Sequence, residues 1–452
     1  MLSQFLSQAV DFAWGLPLVI LLLGGGIYLA IISRFLPLTG FVHALRLVLG
    51  KFHHKGDEQD KGQISHLQAL TNALSSTVGM GNIAGVAVAI SQGGAGAIFW
   101  MWVAGLIGMN TKFFECTLAV MYRGEDYTGE AQGGPMYVIE KALHKKLIPL
   151  AYAFAFFGMC GMTPLFNTNQ LASYASSQIG LSPYFLGFMC STFVAVILIG
   201  GIKSIGKVTE KLVPLMCGVY VFSCLIIIFL NLNEIPNILL SIFKEAFSGR
   251  AAIGGVEGLA VSQILSIGIK RAAFSNEAGI GSAPMAHSNA KTTEPIAEGL
   301  VAMLGPFIDT IVVCTMTAIV ILLSIGKADT SGMSDILLTS FAFKTHLANF
   351  GEYALGFAIL LFSASTILGT ANYMQKCWNY IFKGRFGLGN KTFIGVYCSV
   401  VMIGAISSSN DVINFLDLCF ALMAIPNMIA TLSLAPKVKM ALNKYWKTYL
   451  QK

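Results

Sequence analysis

The sequence predicts an all-α polytopic membrane protein with about eleven transmembrane helices, built as a 5+5 inverted repeat behind one extra N-terminal helix. Of its 452 residues, 55 % are hydrophobic and 11 % are charged, whereas soluble domains carry roughly 25 % charged residues. The apolar residues recur in runs of about 20, the length of a helix that crosses a bilayer. Two of these runs contain glycine-rich interruptions at corresponding places, which predicts the repeat.

The first apolar run is interpreted as a retained helix. It has no basic segment before it and no small-residue cleavage site after it, so it does not read as a signal peptide. Residues 1–452 are expected to form a single membrane domain, with repeats at 64–232 (spans 2–6) and 258–435 (spans 7–11). The predicted spans are 15–34, 64–92, 95–122, 147–178, 182–202, 208–232, 258–286, 296–324, 350–377, 392–408 and 410–435. Two further segments, 34–55 and 133–146, are expected to form helices at the cytoplasmic surface.

The basic residues predict the orientation. With an external N-terminus, the loops after the odd-numbered spans and the C-terminal segment hold 22 of the 29 Lys and Arg residues. The opposite loops hold Lys244, Arg250, Lys327 and Lys344. By the positive-inside rule, the N-terminus lies outside and the C-terminus in the cytoplasm, in a plasma membrane or the inner membrane of a Gram-negative cell. The net charge of +7 therefore belongs to cytoplasmic loops and does not imply nucleic acid.

The chemistry-bearing residues argue against an enzyme. The nine cysteines are scattered singly in apolar runs without a CxxC pair, which is typical of packing thiols. There is no HExxH motif, no Gly-x-Ser-x-Gly elbow and no metal cluster, and no cofactor is expected. A channel would need a filter motif, and none is visible. A nutrient sensor of the same architecture stays open, although no soluble signalling domain is recognisable.

Most spans look continuous, but spans 2 and 7 are predicted to be discontinuous. Span 2 contains "SSTVGMGNIAGVA" (75–87), and span 7 contains "FSNEAGIGSAP" (274–284). Unpaired backbone groups cost several kcal/mol each in lipid, so such a break favours a ligand that pairs them. Half-helix N-termini attract anions, and freed carbonyls coordinate small cations. The alternative is that the glycines merely form a helix-packing face.

Four blocks of the sequence carry a family resemblance: "NALSSTVGMGNIAGVAVAISQGGAGAIFWMWVAGLIGMNTKFFECTLAVMYR" (72–123), "GGPMYVIEKAL" (133–143), "IKRAAFSNEAGIGSAPMAHS" (269–288) and "GLVAMLGPFIDTIVVCTMTAIVIL" (299–322). They closely resemble the alanine/glycine:cation symporter family of the amino acid-polyamine-organocation superfamily. The resemblance implies the leucine-transporter fold and the import of a small neutral amino acid, such as alanine or glycine, driven by sodium or protons. We expect a monomer that works by alternating access.

The resemblance also implies a substrate site. The backbone at Thr77, Gly79 and Gly81 would hold the substrate carboxylate, and Asn82 would add a polar side chain. Asn276 either contacts the substrate or only caps the second half-helix of span 7. The expected substrate-binding residues are Thr77, Gly79, Met80, Gly81, Asn82, Asn167, Ser275, Asn276, Gly279 and Thr370.

A sodium site is implied between spans 2 and 9. The hydroxyls of Ser365 and Thr366 would join the backbone carbonyls of Ser75, Val78 and Phe362 to give five oxygen ligands. The alternative for the two hydroxyls is a hydrogen bond to the carbonyl four residues earlier, which is common in membrane helices.

Two positions depart from the family pattern. Thr370 stands where members usually have an aromatic residue, typically Trp, and Asn167 stands where they usually have Gln. Both changes would enlarge the pocket, and one methylene in a pocket is worth about 1–3 kcal/mol. A larger neutral amino acid is therefore an alternative substrate.

The charged residues predicted inside the spans have two interpretations. Lys112 and Glu115 are spaced to neutralise each other on one helix face. Glu277, Asp309 and Asp417 would either join a proton or cation path or form structural pairs.

Overall fold

The computed structural model describes residues 2–50, 64–127, 129–248, 261–325, 333 and 335–450. Arg250 and Lys327, which contribute to the predicted orientation, lie outside them, as do residues 51–55 of the first surface segment and the start of span 7 at 258.

The described chain is almost entirely helical. The α-helices are α1 Leu2–Ala13, α2 Leu16–Ile32, α3 Leu36–Val48, α4 His66–Thr77, α5 Val86–Gly93, α6 Gly96–Met121, α7 Pro135–Ala142, α8 Ile148–Gly161, α9 Leu165–Ile179, α10 Pro183–Ile199, α11 Gly201–Leu230, α12 Ile235–Ser248, α13 Val261–Asn276, α14 Ala283–His287, α15 Pro295–Pro306, α16 Thr315–Ser324, α17 Asp335–Phe382, α18 Asn390–Ile406 and α19 Ser409–Leu450. π-Helical turns cover Gly81–Gly85 and Phe307–Cys314. Strands β1 Gly124–Glu125 and β2 Ala131–Gln132 pair antiparallel.

Every predicted span overlaps at least one helix. Within the described residues, six helices are long and apolar enough to cross a membrane, and two bent pairs raise this number to as many as eight. The shorter apolar helices α10 and α18 coincide with spans 5 and 10. The protein is therefore a multi-pass helical membrane protein, while the number of crossings and the repeat symmetry stay predictions. Both predicted surface segments contain helices, α3 and α7.

The core forms around α6, which packs against α13 and α15. Small residues allow these helices to approach closely. A Cβ at Gly268 would overlap the backbone of Ala97 on α6, and a Cβ at Gly299 of α15 would overlap the Thr117 side chain. This close packing fixes span 3 of the sequence prediction against spans 7 and 8.

The structure corrects the expectation that interruptions are confined mainly to spans 2 and 7. Span 4 is divided into α8 and α9 by Met162, Thr163 and Pro164, because Pro164 lacks the N–H that a continuous helix would use. Span 8 contains the π-helical turn that follows Pro306. Helix α17 starts well before residue 350 and has a non-helical residue, Ala348.

Candidate functional site

Span 2 is interrupted where the glycines predict it. Helix α4 ends at Thr77, Val78 is non-helical with φ −78° and ψ 89°, and the chain resumes as the π-helical turn from Gly81. The two halves differ in direction by 53°. The Asn82 Oδ1 atom accepts a hydrogen bond of 2.9 Å from the Gly79 N–H. Asn82 therefore satisfies one of the backbone groups that the break releases.

Span 7 is interrupted between α13 and α14. Glu277, Gly279 and Gly281 have positive φ angles of 58°, 86° and 92°, so the chain turns sharply here. The Asn276 Oδ1 atom accepts a 2.9 Å hydrogen bond from the Ala278 N–H, and its Nδ2 atom donates to Thr310 Oγ1 at 2.9 Å. Asn276 thus stabilises the turn that follows α13. Within the described chain it forms no hydrogen bond with α14, the second half-helix that it was expected either to cap or to leave for the substrate.

A buried carboxylate joins the two breaks. Asp309, in the π-helical turn of span 8, is fully buried. It accepts hydrogen bonds from Asn82 Nδ2 at 2.5 Å and from Ser275 Oγ at 2.6 Å. Among the described residues, no basic side chain lies within ion-pair distance of Asp309. Asp309 therefore holds the interrupted helices together through neutral polar groups.

A small cavity lies beside these breaks. It brings together four of the predicted substrate residues, Thr77, Gly81, Asn167 and Thr370, with Thr366 of the predicted cation site. The centre of a water molecule can occupy a volume of about 30 Å³ in this cavity, which is enough for one or two waters. Its full lining is Ser76, Thr77, Gly81, Gly161, Met162, Thr163, Phe166, Asn167, Phe274, Glu277, Thr366, Thr370, Leu416 and Phe420.

Three hydroxyls in this lining have no hydrogen-bond partner within the described chain. They are Ser76 Oγ, Thr163 Oγ1 and Thr366 Oγ1, and all three are buried. A buried polar group without a partner costs about 1–3 kcal/mol, and most native structures satisfy such groups. Three of them around one cavity indicate a place where water or a polar ligand completes the hydrogen bonding.

The rest of the lining includes one acidic residue and three aromatic residues. Glu277 is the acidic residue of the cavity, and its Oε2 atom accepts a hydrogen bond from Ser282. The Phe274 ring lies 5.0 Å from the Phe166 ring and 5.3 Å from the Phe420 ring, measured between centroids. The cavity therefore combines a carboxylate and hydroxyls with an apolar wall.

The predicted cation ligands come from two elements that the structure brings together. Ser365 Oγ on α17 donates to the Ser75 carbonyl on α4 at 3.4 Å. Gly79 lies so close to the Thr366 hydroxyl that an added Cβ would overlap it. Val78 and Phe362 are fully buried. All the expected ligand atoms are oxygens, which hard cations prefer. The Thr366 hydroxyl, which has no hydrogen-bond partner within the described chain, is suited to bind a cation.

Several predicted site residues do not line the cavity. Gly279 faces Leu22 and Met428, and its carbonyl accepts a 2.8 Å hydrogen bond from Asn427. Together with Asn276 it lines a separate small cavity next to α2 and α6. Outside the cavity lining are Gly79, Met80, Asn82, Ser275, Asn276 and Gly279, together with the cation-site residues Ser75, Val78, Phe362 and Ser365.

Most of the buried charged residues form hydrogen bonds or ion pairs within the protein. Lys112 donates to the Asn276 carbonyl at 2.7 Å, and Glu115 accepts from Asn427 at 2.5 Å, so the predicted direct Lys112–Glu115 pair is not formed. Asp417 forms a buried ion pair with Arg271. Of the charged residues named from the sequence, Glu277 alone belongs to the described cavity lining.

The sequence reasoning missed Ser76, Thr163, Phe166, Phe274 and Phe420 as cavity residues. One signal was available, because Gly161 and Pro164 flank Thr163 inside an apolar run, and both residues disfavour a continuous helix. The aromatic residues carry no such signal, since isolated phenylalanines are ordinary in membrane helices.

The fold and the site define a class of protein. Interrupted membrane helices that meet beside a buried polar cavity are the arrangement in which secondary transporters bind their substrates, and this is the class that the structure indicates.

Comparisons with known proteins agree with this class and give the family. The profile of the sodium:alanine symporter family matches residues 1–452. The chain is 41 % identical to the sodium/alanine symporter AgcS of Methanococcus maripaludis, covering 94 % of this chain and 93 % of that protein. It is 34 % identical to the probable sodium/glutamine symporter GlnT of Bacillus subtilis, covering 98 % and 91 %. The crystal structure of MhsT in complex with L-phenylalanine shares the fold, with a TM-score of 0.56 at 16 % identity over 84 % of this chain and 98 % of that one.

The chain therefore belongs to the sodium:alanine symporter family. It is a cation-coupled amino acid transporter of the membrane, a class that is distinct from the enzymes.

Proposed function

We propose that the protein imports a neutral amino acid together with sodium, and that the amino acid binds in the cavity between the interrupted helices. The observation that carries this proposal is the set of three partnerless hydroxyls in the cavity lining. A zwitterion and a cation supply both donors and acceptors, so they can complete the hydrogen bonding that the protein leaves open.

The two charges of a zwitterion have complementary surroundings in this cavity. Gly81 begins the second half of span 2, where the helix dipole favours a carboxylate. Glu277 supplies a negative charge in the same lining, which favours an ammonium group. We assign the substrate carboxylate to the Gly81 end and the ammonium to Glu277.

Sodium is the proposed coupling ion, at the site formed by Ser75, Val78, Phe362, Ser365 and Thr366. Thr366 belongs both to this set and to the cavity lining, so the ion and the substrate would share a boundary. One positive charge that moves inward across 100 mV releases about 2.3 kcal/mol, before any concentration gradient is counted. The cavity must widen to admit an amino acid, which alternating access would provide. Proton coupling is the alternative.

The identity of the substrate side chain depends on the size of the cavity near Thr370. The Thr370 hydroxyl lies 2.8 Å from the Thr366 carbonyl and 2.9 Å from the Tyr397 hydroxyl, so its hydrogen bonds are already made within the protein. Thr370 would then limit substrates mainly by its size. Because one relative is named for alanine and another for glutamine, alanine or glycine is the first candidate, and a larger neutral amino acid is the second.

Uptake into proteoliposomes tests the proposal. Purified protein is reconstituted, and uptake of radiolabelled alanine, glycine and glutamine is measured with an inward sodium gradient or an inward proton gradient imposed separately. Sodium-dependent accumulation of one of these amino acids supports the proposal. Accumulation driven by the proton gradient alone would select the proton alternative, and no accumulation of alanine, glycine or glutamine under either gradient would overturn the proposed function.

A further inference from the structure

Helix α3 carries apolar residues on two faces. Leu36, Gly40, Ala44 and Leu47 are buried against the rest of the protein. On the other side, Leu38, Val42, Leu45 and Leu49 are exposed by 85 %, 61 %, 42 % and 67 %. A water-facing surface would not keep four large apolar side chains at helical spacing. This outer face is therefore suited to the lipid at the membrane surface.

A groove lies where α3 meets the end of α19. Its walls are the connection between α2 and α3 and the last turns of α19. The centre of a water molecule can occupy a volume of about 630 Å³ in this groove. The lining residues are Ile32, Ser33, Arg34, Leu36, Thr39, Leu442, Asn443, Trp446 and Lys447. The groove thus combines two cationic side chains with polar and apolar groups. Trp446 contributes an indole to the lining, and proteins often place this side chain at membrane interfaces.

Within the part of the chain that the structure describes, the two cations of the groove are not neutralised. Within the described residues, neither Arg34 nor Lys447 has a carboxylate within ion-pair distance, and the groove lining contains no acidic residue. Next to Arg34, the exposed side chains of Ile27 and Ile31 continue along the outer face of α2. A positive groove therefore adjoins an apolar track.

We propose that this groove binds the headgroup of an anionic phospholipid. Arg34 and Lys447 hold the phosphate and any further headgroup charge, while the acyl chains follow Ile27 and Ile31 along α2. Basic pockets between helices on the cytoplasmic side are suited to anionic headgroups, and this groove lies on the predicted cytoplasmic side. The ligand links α2, α3 and α19, so it should stabilise their packing.

The test uses the full-length protein purified in detergent. Phosphatidylglycerol and phosphatidylcholine with the same acyl chains are titrated separately, with retained lipid counted by native mass spectrometry and the melting temperature recorded. The groove variant is Arg34→Gln with Lys447→Gln. The matched control is Lys439→Gln with Lys444→Gln, which removes the same charge from exposed positions of α19 outside the groove. The variant Arg34→Lys with Lys447→Arg keeps both charges.

The wild-type protein and the matched control should bind phosphatidylglycerol and melt at a higher temperature in its presence. The groove variant should bind it about 25-fold more weakly, or about fivefold for each basic residue lost, and the charge-keeping variant should bind it. An equal loss in the matched control would mean general surface attraction and would overturn the groove site, as would equal binding of phosphatidylcholine. Inorganic phosphate and glycerol 3-phosphate should leave the melting temperature unchanged. If either of them reproduces the effect of the lipid, the site takes soluble phosphate and the lipid proposal fails.

Discussion

Replacing Thr366 by valine separates a ligand-binding hydroxyl from a structural one. Valine keeps the shape of threonine but removes the Oγ1 atom, which is buried and has no partner in the described chain. If this atom does not bind sodium, its removal should have the same effect with and without the ion. If it binds sodium, the variant should respond differently with and without the ion.

The substitution should stabilise the protein without sodium and weaken the binding of sodium. Without sodium, a buried hydroxyl that lacks a partner costs about 1–3 kcal/mol, so the valine variant should be more stable than the wild-type protein by an amount of that order. With sodium, the variant loses an interaction with a charged group, worth about 1.5–3 kcal/mol. The sodium concentration for half-maximal uptake should therefore rise about 10- to 150-fold.

Two measurements check this pair of effects. Melting temperatures are recorded in sodium buffer and in N-methylglucamine buffer, and initial uptake rates are measured against sodium concentration in proteoliposomes. Thr192→Val is the matched control, because Thr192 is exposed and its hydroxyl donates to the Phe188 carbonyl at 2.9 Å. A Thr366→Val protein that is less stable without sodium, or that keeps the wild-type sodium dependence, would refute the reasoning.

The remaining predictions concern three other residues of the site. Gly79→Ala should weaken sodium dependence, because its Cβ overlaps the Thr366 hydroxyl. Gly85→Ala is the control, because its Cβ meets only Phe274 at an ordinary 3.9 Å, and it should keep the wild-type sodium dependence. If both variants change the sodium dependence of uptake equally, the prediction is wrong. Glu277→Gln should raise the KM for the amino acid about 10- to 100-fold, because it removes a charged hydrogen bond. The control variant Glu115→Gln should leave this KM nearly unchanged. A wild-type KM in Glu277→Gln would remove the ammonium assignment. Thr370→Trp should shift competition for uptake towards alanine and glycine and away from larger amino acids, and an unchanged preference would argue against a role in selectivity.

The interruptions in spans 2 and 7 were predictable because they depend on local chemistry. Glycine tolerates the positive φ angles observed at Gly279 and Gly281, and a run of such residues inside an apolar span is visible without any tertiary information. Composition likewise indicated a multi-pass membrane protein. In addition, the family resemblance implied the region of the site, of which Thr77, Gly81, Asn167 and Thr370 line the cavity.

The other parts of the site depend on contacts between distant segments. Asn276 forms its hydrogen bonds with Ala278 and Thr310, and the second of these lies in another span. The Phe166, Phe274 and Phe420 wall comes from three separate spans. A sequence pattern does not show which of many apolar side chains meet across such distances.

The structure also refines the physical reason for breaking a membrane helix. The expectation was that a ligand satisfies the backbone groups that each break releases. Instead, Asn82 satisfies the Gly79 N–H and Asn276 satisfies the Ala278 N–H, so the protein stabilises each break from within. The groups left open are hydroxyls around the cavity. Self-capped breaks can persist while the site is empty, because no bare amide is exposed at these two positions. A carrier needs that property, since its site must survive the return step without substrate, and hydroxyls that lose a ligand cost less than unpaired backbone in lipid.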